Sequence, residues 1–235
     1  MNGAEALINH DYTNWQLIFF ALGGGFWVVA YVAVLRGIIK HRVVEIPAAA
    51  VACNMAWETT WGVIYRTDLG QLFVWGYRTW FVLDLFIFGF LLKTGAQHLK
   101  DGTMRSWFRP GIIVSFVCWL ILFVTMRIDP IEGRSLETST GIVSGFIATV
   151  FMSALFLLVE LERIDGSQYS GLVAWSKLLG NGFASVFCAL RYPDHHLLLS
   201  LCAVTFALDL LYMPLFRHRL TTDASTAGVV KPRVA

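Results

Sequence analysis

The sequence predicts an all-α, integral-membrane bundle of seven helices, and three observations lead there. The 235 residues are 57% hydrophobic and only 14% charged, where a soluble domain carries about 25% charged residues. Mean hydropathy is +0.63. Seven apolar runs lie between clusters of charge, each close to the roughly 20 residues that cross a hydrocarbon core of about 30 Å.

The first span, 15–35, follows a polar stretch with no basic region and no small-residue cleavage site, so it is read as a permanent anchor. Span two, 43–65, contains Pro47 near its start, and span three covers 74–92. A basic loop, 93–110, leads to the short span four, 111–127, which ends at Arg127. Beyond the polar loop 128–140, span five covers 141–159. Span six, 171–190, is interrupted by Lys177, and span seven covers 196–216. Residues 1–220 therefore form one helical domain. The segment 221–235, rich in Thr, Ala and Val, is expected to be a flexible tail.

Basic residues segregate between alternate loops. One side holds Arg36, Lys40, Arg42, Lys93, Lys100, Arg105, Arg109, Arg163, Arg217, Arg219, Lys231 and Arg233; the other holds Arg66, Arg78, Arg127, Arg134 and Arg191. The positive-inside rule then puts the C-terminus in the cytoplasm and the N-terminus outside. The expected location is the plasma membrane of a bacterium or the endoplasmic reticulum of a fungus. The net charge of +2 reflects this topogenic pattern and gives no reason to expect a nucleic-acid partner. Cys53, Cys118, Cys188 and Cys202 all fall inside spans without metal-ligand spacing, so they read as small core residues, and no metal site is expected.

The informative residues are acids inside the spans. A charge at the centre of a bilayer costs about 2.5–3.5 kcal/mol on insertion scales, so such residues usually face a cavity and serve a purpose. At about 100° per residue, Asn54, Glu58, Trp61 and Tyr65 share one face of helix two. Tyr77, Trp80, Asp84 and Phe88 share one of helix three, and Cys202, Thr205, Asp209 and Tyr212 one of helix seven. Weaker stripes are Lys177, Asn181 and Ser185 on helix six and Thr149, Ser153 and Glu160 on helix five. Lys177 and Glu160, near the boundary, are expected to snorkel towards water. No basic residue then matches the depth of all three acids Glu58, Asp84 and Asp209. A buried acid with no cation beside it keeps its proton more readily than in water, and a neutral acid is a proton donor.

Nine Trp and eighteen Phe exceed what interfacial belts require. Trp57, Trp61 and Trp80 lie beside the acids, where π faces would stabilise positive charge by roughly 0.5–2 kcal/mol each. Packing alone is the plainer explanation.

Together, Asn54-x-x-Trp57-Glu58, Tyr65, Arg78-x-Trp80-x-x-x-Asp84 and Asp209-x-x-Tyr212 resemble the small integral-membrane terpene cyclases of meroterpenoid pathways, fungal and actinobacterial, the latter making drimane-type prenylated indoles and cyclodipeptides. The resemblance implies protonation-initiated cyclisation of a prenyl chain, such as farnesyl, on an aromatic or peptide-like head. It places the essential acids at Glu58 and Asp209. Asn54, Trp57, Trp61, Tyr65, Trp80, Asp84 and Tyr212 become candidate substrate-binding residues. No cofactor is implied; the partners are a hydrophobic prenylated substrate, the lipid bilayer and a pathway prenyltransferase.

The chemistry is consistent with the residues. A carbocation formed by protonating an alkene or epoxide needs a dry aromatic pocket, an acid and a base. The aspartate-rich motifs that ionise prenyl diphosphates are missing, so a neutral prenylated substrate is expected. Glu58 and Asp209 lie at somewhat different depths, either at opposite ends of the folded chain or brought together by tilt. Span seven has no lysine for a retinal Schiff base, and a receptor-like Asn-Pro-x-x-Tyr motif is absent. A proton-coupled transporter or channel using buried carboxylates is the alternative.

Overall fold

The computed structural model describes residues 7–8, 11–128, 140–162 and 170–229, with side chains described as far as 218 in the last stretch. Within them lie seven helices and no strand: α1 (Asn14–His41), α2 (Ala48–Thr59), α3 (Gln71–Thr94), α4 (Gly102–Ile128), α5 (Ile142–Glu162), α6 (Gly171–Arg191) and α7 (His196–Val229). Six are long and apolar enough to cross a membrane. The exception is α2, which is completed by a π-helical turn, Thr60–Ile64. The last helix continues to Val229, into the segment expected to be a flexible tail, and 230–235 lie outside the described residues.

Local chemistry sets the helix ends. Thr13 and Gln16 form a capping box: the Gln16 N–H donates to Thr13 Oγ1 at 3.4 Å, and the Thr13 N–H to Gln16 Oε1 at 2.9 Å. Arg42, at φ 57°, ends α1 in the left-handed region, and its N–H donates to the Ile38 carbonyl. Pro47 precedes α2, where its missing N–H costs nothing. Arg109 of α4 reaches back to donate to the carbonyls of Leu92 and Lys93 at the end of α3.

The shortest helix is the central one. Helix α2 packs against α3, α4 and α5 and buries Ala50, Val51, Ala52, Cys53, Met55, Ala56 and Glu58. Small side chains let its neighbours approach closely, which is how helices associate where no hydrophobic drive separates protein from lipid. The same device joins α1 to α6: a Cβ on Gly23 would stand 3.1 Å from the Gly180 carbonyl oxygen and from the Ala184 nitrogen. Helix α7 closes the bundle against α5 and α6.

Candidate active site

Between the helices lies a half-open cavity, with about 820 Å³ of space when its open mouth is included. Helix α1 contributes Phe20, Gly23, Gly24, Trp27 and Tyr31; α2 contributes Asn54, Trp57 and Glu58; α3 contributes Tyr77 and Trp80. The far wall is Ile142, Gly145, Phe146, Thr149 and Met152 of α5 with Asn181 and Ala184 of α6.

Glu58 sits two residues before the π-helical turn, a feature often found at functional sites because the extra residue re-aims the side chains around it. Its side chain is 3% exposed, and Oε2 has no hydrogen-bond partner. Aromatic rings surround this acid. Trp57 and Tyr77 meet edge to face at 5.4 Å between centroids, and Tyr77 stacks on Trp80 at 5.8 Å. The Trp57 indole is fixed by donation to Ser144 Oγ at 3.0 Å and to the Gly141 carbonyl at 3.2 Å.

Behind the wall, two networks of the same design hold the α1 aromatics. In the first, Asn54 Nδ2 donates to Asp84 Oδ2 at 2.5 Å and to Tyr31 Oη at 3.0 Å. In the second, Asn181 Nδ2 donates to Asp209 Oδ2 at 2.7 Å, and the Trp27 Nε1–H donates to Asn181 Oδ1 at 3.1 Å. Each aspartate holds an asparagine, and each asparagine holds a ring that lines the cavity. The second network also carries a cation: Lys177 Nζ is ion-paired with Asp209 Oδ1 and donates to Ser153 Oγ at 3.0 Å.

Several expectations are corrected here. Lys177 does not snorkel; it is 2% exposed and matches the charge of Asp209, because α5, α6 and α7 meet around it. Glu160 is buried as well. Asn54, Trp57, Glu58 and Trp80 line the cavity, whereas Asp84 and Asp209 stand one residue behind it. Trp61 faces α5, so tightly that a Cβ on Gly141 would come within 2.2 Å of the indole; with its φ of 68°, position 141 is restricted to glycine. Tyr65 lies beside Trp61 under the Arg127 guanidinium, and Tyr212 packs on Phe156 and Phe216, both away from the cavity. Trp27 and Tyr31 were missed: their i, i+4 spacing on α1, next to Gly23 and Gly24, was the available signal.

The profile of the Pyr4-like transmembrane terpene cyclases matches residues 5–220. The chain belongs to that family. Similar terpene cyclases include spyD of Aspergillus fumigatus, 37% identical over 90% of this chain and 91% of the relative. Another is macJ of Penicillium terrestre, 24% identical over 81% of this chain and 76% of the relative. No solved structure matches. The protein is thus a membrane terpene cyclase with a multi-pass helical body, and the transporter alternative is set aside. For a terpene cyclase the geometry is apt: an acid with an unpartnered oxygen lines a cavity to which seven aromatic side chains contribute.

Proposed function

We propose that this cyclase protonates the end of a neutral prenyl chain, farnesyl in length, carried by an aromatic or cyclodipeptide head group. Glu58 is the donor. Burying a lone carboxylate is costly enough that such a group neutralises instead, so Glu58 carries the proton the reaction needs. Protonation of the terminal alkene at carbon, or of a terminal epoxide at oxygen with opening of its C–O bond, gives a cation, which the remaining double bonds attack in turn. The rings of Trp57, Tyr77 and Trp80 face the developing charge. The cascade ends when a proton leaves the last cation, so product and substrate share one formula.

Asp209 takes a different part from the donor or base expected of it. Both its oxygens are engaged, by Lys177 and by Asn181, and it does not line the cavity. It is a positioning residue that fixes Asn181 and through it the Trp27 indole. Asp84 does the same for Asn54 and Tyr31. The single observation that carries this reading is the free Oε2 of Glu58 within an aromatic enclosure.

The test is to incubate membranes containing the protein with farnesylated indoles and cyclodipeptides in deuterated water. The expected product is a cyclic isomer that gains one deuterium from the donor. Release of diphosphate from a prenyl diphosphate, or ring formation from these alkene substrates without carbon-bound deuterium, would overturn the proposal.

A further inference from the structure

Three rings of the cavity wall form a row, Trp57–Tyr77–Trp80, and each end of the row lies against a glycine that also lines the cavity. At one end, a Cβ on Gly145 of α5 would stand 3.2 Å from Trp57 Cζ2, 3.3 Å from Cε2 and 3.4 Å from Nε1. At the other, a Cβ on Gly24 of α1 would stand 3.3 Å from Trp80 Cζ2 and 3.4 Å from Cη2. Carbon atoms rest at about 3.5–4.0 Å from one another, so a methyl group at either position displaces the indole it meets. Trp57 has little freedom to yield, because its Nε1–H is committed to Ser144 Oγ and the Gly141 carbonyl. Tyr77 is tied to the same stretch, its hydroxyl donating to the Thr140 carbonyl at 3.2 Å. Trp80 is placed by packing, between the Tyr77 ring and the α1 backbone at Gly24.

We propose that Gly24 and Gly145 are positioning residues of the reaction: they set where the row of rings stands in the cavity, and so how far the cascade runs before the proton is lost. This rests on the cyclisation reading, in which these rings face the developing cation. The attraction of a cation to a ring needs the face within about 6 Å of the charge. Displacements well short of that already disturb a reacting geometry. Both glycines stand on helices other than that of Glu58, so a methyl group at either moves the rings and leaves the donor's helix unaltered. The consequence falls on how the cascade ends, and less on whether it starts.

The experiment is a double-substitution cycle on the full-length protein in membranes, with 3-farnesylindole as substrate. Gly24→Ala and Gly145→Ala should each raise the share of partly cyclised, early-deprotonated isomers several-fold. Trp80→Phe removes the Cζ2 and Cη2 carbons that the new methyl would meet, so in that background Gly24→Ala should change the product ratio no further. Gly25→Ala is the control: it makes the same change one residue along α1, where a Cβ meets nothing within 4 Å, and should leave the ratio unaltered. The second readout needs no turnover. Protein labelled with 5-fluorotryptophan carries fluorine at Cζ3, and Trp80→Phe and Trp57→Phe assign the two fluorine resonances by their loss. Gly24→Ala should shift the Trp80 line, Gly145→Ala should shift the Trp57 line, and Gly25→Ala should shift neither. A Gly24→Ala effect on products that persists in Trp80→Phe would mean that the methyl acts by occupying the cavity, and would overturn the proposal; so would unmoved resonances. Absence of any isomer from the unmodified protein would count against the cyclisation reading, while the resonances would still decide whether the glycines hold the rings.

Discussion

Glu58 on α2 and Asp209 on α7 are both carboxylates on apolar helices, and both are almost sealed from solvent, at 3% and 1% exposed. Their surroundings differ completely. Glu58 leaves Oε2 without a hydrogen bond and shares the cavity lining with Trp57, Tyr77 and Trp80. Asp209 is bound on one oxygen by Lys177 and on the other by Asn181, and stands behind the wall. A buried acid is available for proton transfer where nothing compensates it, and becomes part of the scaffold where a cation and an amide do. On the proposed reading, the contrast separates a reactive acid from a structural one in a single bundle.

The sharpest way to break this comparison is Glu58→Gln. Isomer formation should fall by at least about 100-fold, the usual worth of a positioned general acid. The yield of monodisperse protein in detergent should stay unchanged, since Oε2 has no hydrogen bond to lose. Retained turnover above a few per cent would transfer the donor's role elsewhere.

Lys177→Met should do the opposite, lowering stability first. It leaves Asp209 buried without its cation, a change that costs about 3–5 kcal/mol. Thermal unfolding in detergent should drop accordingly. Adding Asp209→Asn should recover most of that loss, because an amide needs no countercharge and its oxygen can still accept from Asn181. A double variant no more stable than the single one would refute the pairing as a structural device.

Trp80 and Trp61 sharpen the comparison at smaller scale. Trp80 lines the cavity, so activity should fall in the order Trp, Phe, Leu, with the Leu variant releasing partly cyclised or early-deprotonated products. Trp61 packs on Gly141 instead, so Trp61→Leu should lower stability by a few kcal/mol with an unchanged product profile. Identical product profiles for Trp80→Phe and Trp80→Leu would reduce Trp80 to a space-filler. The smallest effect belongs to Asp84→Asn. An amide can still bond to Asn54 after that side chain flips, so only a several-fold loss of rate is expected, and a complete loss would make Asp84 a second proton donor.

The sequence by itself determined the helical class and the number of helices, and it put Asn54 with Glu58 and Tyr77 with Trp80, which line the cavity, on shared faces of α2 and α3. Those follow from apolar length and from the 3.6-residue period, which are local properties. It also singled out Glu58, since an acid within an apolar run is visible without any fold. Only the tertiary structure decided how the acids differ. Lys177 lies 32 residues from Asp209, and Asn181 lies 28 from it; read along one helix, each is an isolated polar residue, and a lysine near a span's end looks like one that reaches for water. Trp61 shares a stripe with Asn54 and Glu58, yet a stripe wide enough to hold four side chains faces more than one neighbour. Which neighbour each side chain meets depends on how closely the helices approach, and that is set by Gly23, Gly141 and Gly180, whose importance lies in what packs against them.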